Sequence, residues 1–238
     1  MMNKEIIQRR ILAIGRGMNP IVIRHFVKLT GKKHPRICLL PTASGDDPKW
    51  IRVWHDLGTK YGFEAYDQPL FISTFDQERT FEEVLLSMDA IYVAGGNTVN
   101  MLAVWRAQGV DVILRKAYDS GILLGGGSAG GICWFDNGLT DSRPVELTAM
   151  DALGWLKGSF APHYLSEPGR RAYFHKYILS GELSSGYGID EPVGLLFVDE
   201  VLEKVVGSTL DAKGYKVELI GDKIVETALD VEYIGNAD

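Results

Sequence analysis

The sequence predicts an α/β fold in which helices cover both faces of a mostly parallel β-sheet, giving a three-layer sandwich. Short apolar segments alternate with longer segments whose apolar residues have helical spacing, and several of the short segments end in glycine. Such alternation is typical of βαβ units, because two parallel strands need a crossover connection between them. The length of 238 residues suits one sizeable domain, which we expect to span residues 1–238.

The first half of the chain supplies the elements of this sheet. Residues 10–14 form an apolar segment that stops at Gly15-Arg16-Gly17, and residues 20–29 carry apolar side chains at helical spacing, which indicates a first βα unit. Pro20 stands where a dinucleotide-binding loop would have its third glycine, so this turn does not indicate a nucleotide site. Further strands are predicted at residues 36–40, 62–66, 90–94 and 122–124, and further helices at 48–61, 81–87, 99–107 and 110–118.

The C-terminal part has a different pattern. Residues 136–146 are polar and irregular, residues 153–160 are apolar but interrupted by glycine, and residues 170–179 have helical spacing. From residue 186 onwards, short strands alternate with tight turns, which predicts a β-rich C-terminal extension over residues 186–238.

Composition excludes several classes of function. A formal net charge of −6 argues against a general nucleic-acid surface, which usually carries a basic excess. No apolar run approaches the roughly 20 residues that span a bilayer, and residues 1–5 lack the apolar segment of a signal peptide. Cys38 and Cys133 both lie in apolar segments, which indicates reduced core thiols in a cytoplasmic protein. We expect no metal and no cofactor, since neither paired histidines at ligand spacing nor a Walker-type phosphate loop occurs.

The most informative stretch is residues 123–134, where an apolar run stops at three glycines, presents Ser128 and restarts as a helix-like segment. Gly126, Ser128 and Gly130 fit the Gly-x-Ser-x-Gly pattern of a nucleophile elbow. In that motif a sharp turn from strand to helix exposes the serine oxygen above the sheet, and the next backbone N–H contributes to an oxyanion hole.

A second glycine turn, Gly95-Gly96-Asn97-Thr98, follows the apolar strand at residues 90–94. In parallel sheets the chemistry lies beyond the carboxyl ends of the strands. Because both turns follow such strands, we expect them to share one site.

A nucleophilic serine needs a base that takes its proton and a third group that orients the base. His163 is the candidate base, because it follows Pro162 in a compact turn downstream of Ser128, whereas the other histidines lie in helical segments or in a basic connection. The residues alone leave the orienting group open among the carboxylates that lie between these two positions, which are Asp136, Asp141, Glu146 and Asp151.

Four segments, in this order and spacing, resemble the peptidase E family: residues 92–98, 126–130, 139–142 and 161–164. That family includes the aspartyl dipeptidases and the cyanophycinases, and it belongs to the wider class of glutamine-amidotransferase-like folds of flavodoxin type. The similarity spans roughly residues 10–200. It implies a flavodoxin-like fold and a serine exopeptidase.

The resemblance also implies roles for particular residues. Ser128 is the implied nucleophile and His163 the implied general base. The implied oxyanion hole consists of backbone N–H groups of Ala129 and of the turn at Gly95 and Gly96, in agreement with the expectation that the two glycine turns meet.

The third member of the implied triad is less directly matched. In the aspartyl dipeptidases an aspartate precedes a short hydrophobic-proline segment, and alignment on Pro144 places Ser142 at that position. Asp141, one position away, is therefore the expected orienting acid, with Glu146 as the reserve.

The implied substrate is a small peptide, in particular a dipeptide with an N-terminal aspartate. An aspartyl side chain needs a cationic partner. The arginines close in sequence to the family-like segments 139–142 and 161–164 are Arg143, Arg170 and Arg171. Asn97 can bind a backbone amine or carboxylate of the substrate. Two alternatives stay open at this point: hydrolysis of an isopeptide-like β-aspartyl bond, as in cyanophycinases, and a non-catalytic binding module that keeps the fold.

Aromatic residues suggest an oligomer. The aromatic helix from Trp50 to Tyr61 and, further along the chain, Trp105 supply apolar surface that can pair two subunits. We expect a homodimer.

Overall fold

The computed structural model describes residues 7–235, so residues 1–5, in which we expect no signal peptide, lie outside the described part. The strands are β1 (Arg10–Ile14), β2 (Arg36–Leu40), β3 (Glu64–Asp67), β4 (Ala90–Val93), β5 (Leu123–Gly127), β6 (Phe135–Thr140), β7 (Thr148–Asp151), β8 (Leu156–Ala161), β9 (Gly186–Ile189), β10 (Val193–Val198), β11 (Val201–Gly207), β12 (Gly214–Ile220), β13 (Lys223–Ala228) and β14 (Glu232–Tyr233). The helices are α1 (Pro20–Leu29), α2 (Pro48–Tyr61), α3 (Phe81–Leu85), α4 (Thr98–Gln108), α5 (Val110–Asp119), α6 (Ala129–Ile132) and α7 (Arg170–Ser180).

The larger sheet has the strand order β14-β11-β10-β1-β5-β4-β2-β3. Strands β1, β5, β4, β2 and β3 run parallel to one another, and β10 joins β1 in the antiparallel direction. Helices α1 and α2 pack on one face of this sheet, and α4 and α5 pack on the other. The sequence-based prediction of a three-layer, flavodoxin-like sandwich with a mostly parallel sheet is confirmed.

Two of the crossover helices begin where the sequence places a cap before a proline. The Asn19 side chain accepts hydrogen bonds from the N–H groups of Ile21 and Val22, and the Asp47 side chain accepts one from Lys49. Each cap satisfies N–H groups that the first turn leaves without a partner, while the following proline has no N–H to satisfy.

A second sheet of six strands has the order β13-β12-β9-β8-β6-β7. The extension from residue 186 supplies β9, β12 and β13, but the sequence did not predict β6, β7 or β8 in the preceding segment. Strand β6 contains Asp136, Asn137 and Gly138, which have low strand propensity. Pairing overrides that propensity, because β6 lies between β7 and β8 and begins at the buried Phe135.

The two sheets share a core. The largest apolar cluster combines residues of the parallel strands with residues of β6, β8 and β9. Phe135 of β6 meets Phe197 of β10 edge to face, with ring centroids 5.6 Å apart, and so joins the sheets directly. The carboxyl ends of β5, β8 and β9 are thereby brought to one region.

The burial of the tryptophans and cysteines tests two of the predictions made from the sequence. Trp54 and Trp105 are fully buried in the core, so the expectation that they supply a subunit interface is wrong for these two residues. Cys38 and Cys133 are buried free thiols, as expected, and burial raises the pKa of each. Among residues 7–235 no helix has both the length and the apolar character needed to cross a bilayer.

Candidate active site

Ser128 forms the sharp turn between β5 and α6. Its backbone has φ 56° and ψ −114°, a conformation that residues other than glycine rarely adopt. A methyl group on Gly126 or Gly130 would lie 2.5 Å or 2.3 Å from the carbonyl oxygen of Val93, so both flanking glycines are required for the turn to pack against β4. The Ser128 N–H donates to the carbonyl of Ile14, which fixes the turn to β1.

His163 follows β8 of the second sheet and reaches Ser128. Its Nε2 lies 3.1 Å from the Ser128 Oγ, within hydrogen-bond distance. The residues after it are tied to the β9–β10 connection, because the N–H of Tyr164 donates to the Ile189 carbonyl and the N–H of Leu165 donates to the Asp190 carboxylate. The imidazole is therefore held by a loop that is itself anchored.

Glu191, in the connection between β9 and β10, contacts the other nitrogen of this imidazole. One carboxylate oxygen lies 3.3 Å from Nδ1 of His163, and the other accepts a hydrogen bond of 2.7 Å from Nη1 of Arg16. Burial alone would raise the pKa of the Glu191 carboxyl, but Arg16 and His163 outweigh burial and hold that pKa below its usual value. A second carboxylate, Glu167, lies 4.0 Å from the same nitrogen.

The structure corrects the expected orienting acid. Asp141 is largely exposed and lies 3.4 Å from Nη2 of Arg170, and Glu146 accepts a hydrogen bond from the Tyr173 hydroxyl, so neither approaches His163. The cause is the path of the connection between β6 and β7. The Ser142 hydroxyl in that connection accepts hydrogen bonds from the Thr98 and Val99 N–H groups at the start of α4, which holds the segment there.

Gly15 is the residue that allows Glu191 to reach the site. A methyl group on Gly15 would lie 2.1 Å from the carbonyl oxygen of Asp190, so only glycine lets the β9–β10 connection approach the end of β1. The Gly15 N–H also donates to the Val193 carbonyl. Glu191 lies further along the chain than the stretch between Ser128 and His163, to which the predicted orienting acids belong.

The glycine turn after β4 lies beside Ser128, as expected. A methyl group on Gly95 would lie 3.2 Å from Cβ of Ser128 and 3.9 Å from its Oγ. Within residues 7–235, the backbone N–H groups of Gly95, Gly96 and Ala129 donate to no other group. They are thus available to a ligand, which is the property that an oxyanion hole needs.

A pocket of about 310 Å³ opens beside Ser128 and His163. Its other lining residues come from the loops after β1, β2 and β4 and from the start of α2: Arg16, Gly17, Met18, Ser44, Trp50, Ala94, Gly95 and Gly96. It lies at the carboxyl ends of the parallel strands, where ligands bind in this class of sheet.

The predicted substrate-binding side chains lie elsewhere. Arg143 donates to Thr148 in the β6–β7 hairpin, and Arg171 pairs with Glu226 on the outer face of the second sheet. Asn97 caps α4 through its side-chain oxygen and donates to the Ser142 carbonyl. Arg170 is buried between Asp141 and Glu167. The arginine that does line the pocket is Arg16, a residue predicted only to form part of the turn after the first strand.

A serine on a strained turn, a histidine and a carboxylate in hydrogen-bonding sequence beside a pocket form the arrangement that nucleophilic hydrolases use. The family model of peptidase family S51 matches residues 11–205, and the chain belongs to this family. The chain is therefore a peptidase, and the resemblance to the peptidase E family is confirmed.

Individual relatives agree with this assignment. The chain is 38% identical over 235 residues to the uncharacterized peptidase YgaJ of Bacillus subtilis strain 168, covering 95% of this chain and 100% of that protein. The fold resembles a crystal structure of a peptidase from an acI-B1 Actinobacterium, with a TM-score of 0.71, 20% identity and coverage of 93% of this chain and 94% of the other. It also resembles a putative peptidase E protein from Listeria monocytogenes EGD-e, with a TM-score of 0.61, 18% identity and coverage of 94% and 100%.

Proposed function

We propose that this peptidase is of the serine type, with Ser128 as nucleophile, His163 as general base and Glu191 as the carboxylate that orients the base. The observation that carries the proposal is the 3.1 Å contact between Oγ of Ser128 and Nε2 of His163. A neutral imidazole with its proton on Nδ1 donates to Glu191 and leaves Nε2 free to accept the serine proton.

The geometry supports an acyl-transfer sequence. Oγ of Ser128 attacks the scissile carbonyl carbon while its proton moves to Nε2, and Glu191 stabilises the resulting imidazolium. The negative charge on the former carbonyl oxygen is stabilised by the free N–H groups of Gly95, Gly96 and Ala129. The C–N bond then breaks, and the leaving amine takes the proton from Nε2. Water attacks the acyl group in the second half, gives one proton to His163 and releases Ser128 as the hydroxyl.

Cys133 does not compete with Ser128 for this role. Its thiol is fully buried one helical turn beyond the elbow and lies 3.5 Å from the Gly130 carbonyl oxygen. Burial raises the pKa of the thiol, whereas a nucleophilic cysteine needs a lowered pKa.

We propose small peptides, in particular dipeptides with an N-terminal aspartate, as the substrates. A pocket of about 310 Å³ is at the small end of the range for ligand sites, which favours a short peptide over an extended one. Hydrolysis of a β-aspartyl bond instead of an α-aspartyl bond would leave the roles of the three residues unchanged, so a comparison of the two dipeptide isomers decides between them.

Labelling with a serine-directed phosphonofluoridate tests the proposal. We expect one added group, located on Ser128 by peptide mass mapping, together with hydrolysis of aspartyl-leucine. Ser128→Ala should abolish both, while Ser120→Ala, at an exposed serine after α5, should change neither. A protein that reacts with no reagent and cleaves neither dipeptide isomer would instead be the non-catalytic binding module, and full turnover by Ser128→Ala would remove Ser128 from the mechanism.

A further inference from the structure

The described side chains that line the pocket include basic residues but no acidic residue. Arg16 and His163 are the charged or titratable side chains among its described lining residues, and no carboxylate lines it. Lys49 is not a lining residue, but its Nζ lies 5.3 Å from the ring centroid of Trp50, which is one. Arg16 therefore brings a guanidinium to this pocket in a protein with a formal net charge of −6. Part of its charge is balanced by Glu191, and its remaining N–H donors are suited to an anionic group.

The guanidinium of Arg16 has N–H donors that are not used within the described residues. Its backbone is fixed against the elbow, since a methyl group on Gly127 would lie 2.4 Å from the Arg16 carbonyl carbon. Its side chain is 64% exposed and donates through Nη1 to Glu191, with no other partner among residues 7–235. A guanidinium has five N–H donors in a fixed plane, so Arg16 can hold Glu191 and still present Nε or Nη2 to a second carboxylate.

We propose that Arg16 determines specificity by binding a carboxylate of the substrate while it positions Glu191. This inference rests on the proposed peptidase mechanism. An aspartyl dipeptide has two such groups, the side chain of its first residue and its C-terminal carboxylate, and both offer the same chemistry to a guanidinium. Arg16 thereby links recognition to catalysis, because the residue that receives the substrate also holds the carboxylate that orients His163.

Three peptides separate the two sources: aspartyl-leucine, asparaginyl-leucine and aspartyl-leucinamide. We expect Arg16→Gln to lower kcat/KM for aspartyl-leucine roughly 10- to 100-fold more than for the analogue that lacks the bound carboxylate, mainly through KM. If the smaller loss is seen with asparaginyl-leucine, the side-chain carboxylate is the bound group. If it is seen with aspartyl-leucinamide, the C-terminal carboxylate is the bound group. Arg16→Lys should recover part of the loss, because it keeps the charge but not the planar fork.

The positioning role has its own readout. In Arg16→Gln the acid limb of the kcat profile should move to higher pH, because Glu191 loses the charge that holds its pKa down. Arg52→Gln, at an exposed arginine on α2, is the matched control and should leave all three peptides and the pH profile unchanged. An equal fall in kcat/KM for all three peptides in Arg16→Gln would overturn the recognition of a carboxylate.

Calorimetry in the Ser128→Ala background separates this inference from the proposed function. Peptide binding can be measured there without turnover. The inference is supported if Ser128→Ala binds aspartyl-leucine more tightly than one of the analogues and if this difference in affinity disappears in the double variant Ser128→Ala with Arg16→Gln. This result would count even if the wild-type protein cleaves nothing. Cleavage by the wild-type protein with an unchanged preference in Arg16→Gln would leave the proposed function standing and remove the role of Arg16 in recognition.

Discussion

The carboxylate of Glu191 lies 3.3 Å from Nδ1 of His163, on the far side of the imidazole from Ser128. In the proposed triad the acid therefore follows the histidine in the chain, giving the order serine, histidine, acid rather than the expected serine, acid, histidine. Because triads are defined by geometry and not by chain order, this difference leaves the chemistry intact.

Glu191→Gln tests this relationship directly. A neutral amide cannot stabilise the imidazolium and favours the wrong tautomer, so we expect kcat to fall by roughly 10²- to 10⁴-fold with little change in KM. Asp141→Asn is the matched comparison and should retain wild-type kcat, because Asp141 pairs with Arg170 instead. A large loss of kcat in Asp141→Asn together with a wild-type kcat in Glu191→Gln would make Asp141 the orienting acid instead. Steady-state kinetics on one dipeptide are sufficient for this test.

Glu191 should also make stability depend on pH. Its pKa is lowered in the folded protein, so the carboxylate stabilises the fold above its unfolded pKa of about 4.3, and this contribution is lost as pH falls through the folded value. We expect the Tm difference between wild type and Glu191→Gln to be largest near neutral pH and to shrink in acid. Glu203→Gln, on the exposed part of β11, controls for the loss of one negative charge; a Tm difference for Glu191→Gln that grows in acid would contradict the lowered pKa.

Gly15→Ala should damage the site without touching the pocket. The added methyl group would collide with the Asp190 carbonyl and push Glu191 away from His163. A displacement of about 1 Å can cost about 10²-fold in rate, so we expect a loss in kcat of that order. Gly109→Ala is the control, because a methyl group there meets no atom within 4 Å; it should cost about 1 kcal/mol in urea unfolding through its positive φ of 71° and leave kcat unchanged. A wild-type kcat in Gly15→Ala would contradict this prediction, because it would mean that the β9–β10 connection can move to make room for the methyl group without displacing Glu191 from His163.

A partly exposed polar cluster around the buried Tyr164 holds the loop after His163. The Tyr164 hydroxyl contacts Glu226 and lies 2.8 Å from Nε2 of His175, while Nε of Arg171 donates to Glu226 at 3.0 Å. Tyr164→Phe and Glu226→Gln should each destabilise the fold by about 1–2 kcal/mol in urea unfolding. The double variant should lose about 1 kcal/mol less than the sum, because both changes remove the same contact. Strict additivity would mean that the contact does not contribute to stability.

Local patterns were sufficient to predict the parallel sheet and the position of Ser128 at its edge, whereas the pairing of Ser128 with His163 also rested on the family resemblance. An apolar strand that ends in glycine places its turn at a sheet edge, and this inference needs no information about distant residues. The second sheet could not be predicted in the same way, because β6 and β8 are interrupted by polar residues and glycine, and their pairing depends on partners elsewhere in the chain.

The remaining site residues were missed for the same reason. Arg16 and Glu191 are 175 positions apart, and each has an ordinary local sequence. Their contact becomes visible only when β10 is placed next to β1, and no local pattern specifies that pairing. The chosen arginines, Arg143 and Arg171, are close to the motifs in sequence, but their pairing with groups in the second sheet directs them away from the pocket.

The proposed nucleophile and the proposed base belong to different sheets, since Ser128 follows a strand of the larger sheet and His163 follows a strand of the smaller one. Their 3.1 Å separation therefore depends on how the two sheets are aligned, which the contact between Phe135 and Phe197 helps to set. Substitutions at that apolar seam can change turnover while every group that touches the substrate stays the same. Turnover should therefore report on the alignment of the two sheets, and it should fall in a variant that loosens this seam even where each sheet keeps its own strands.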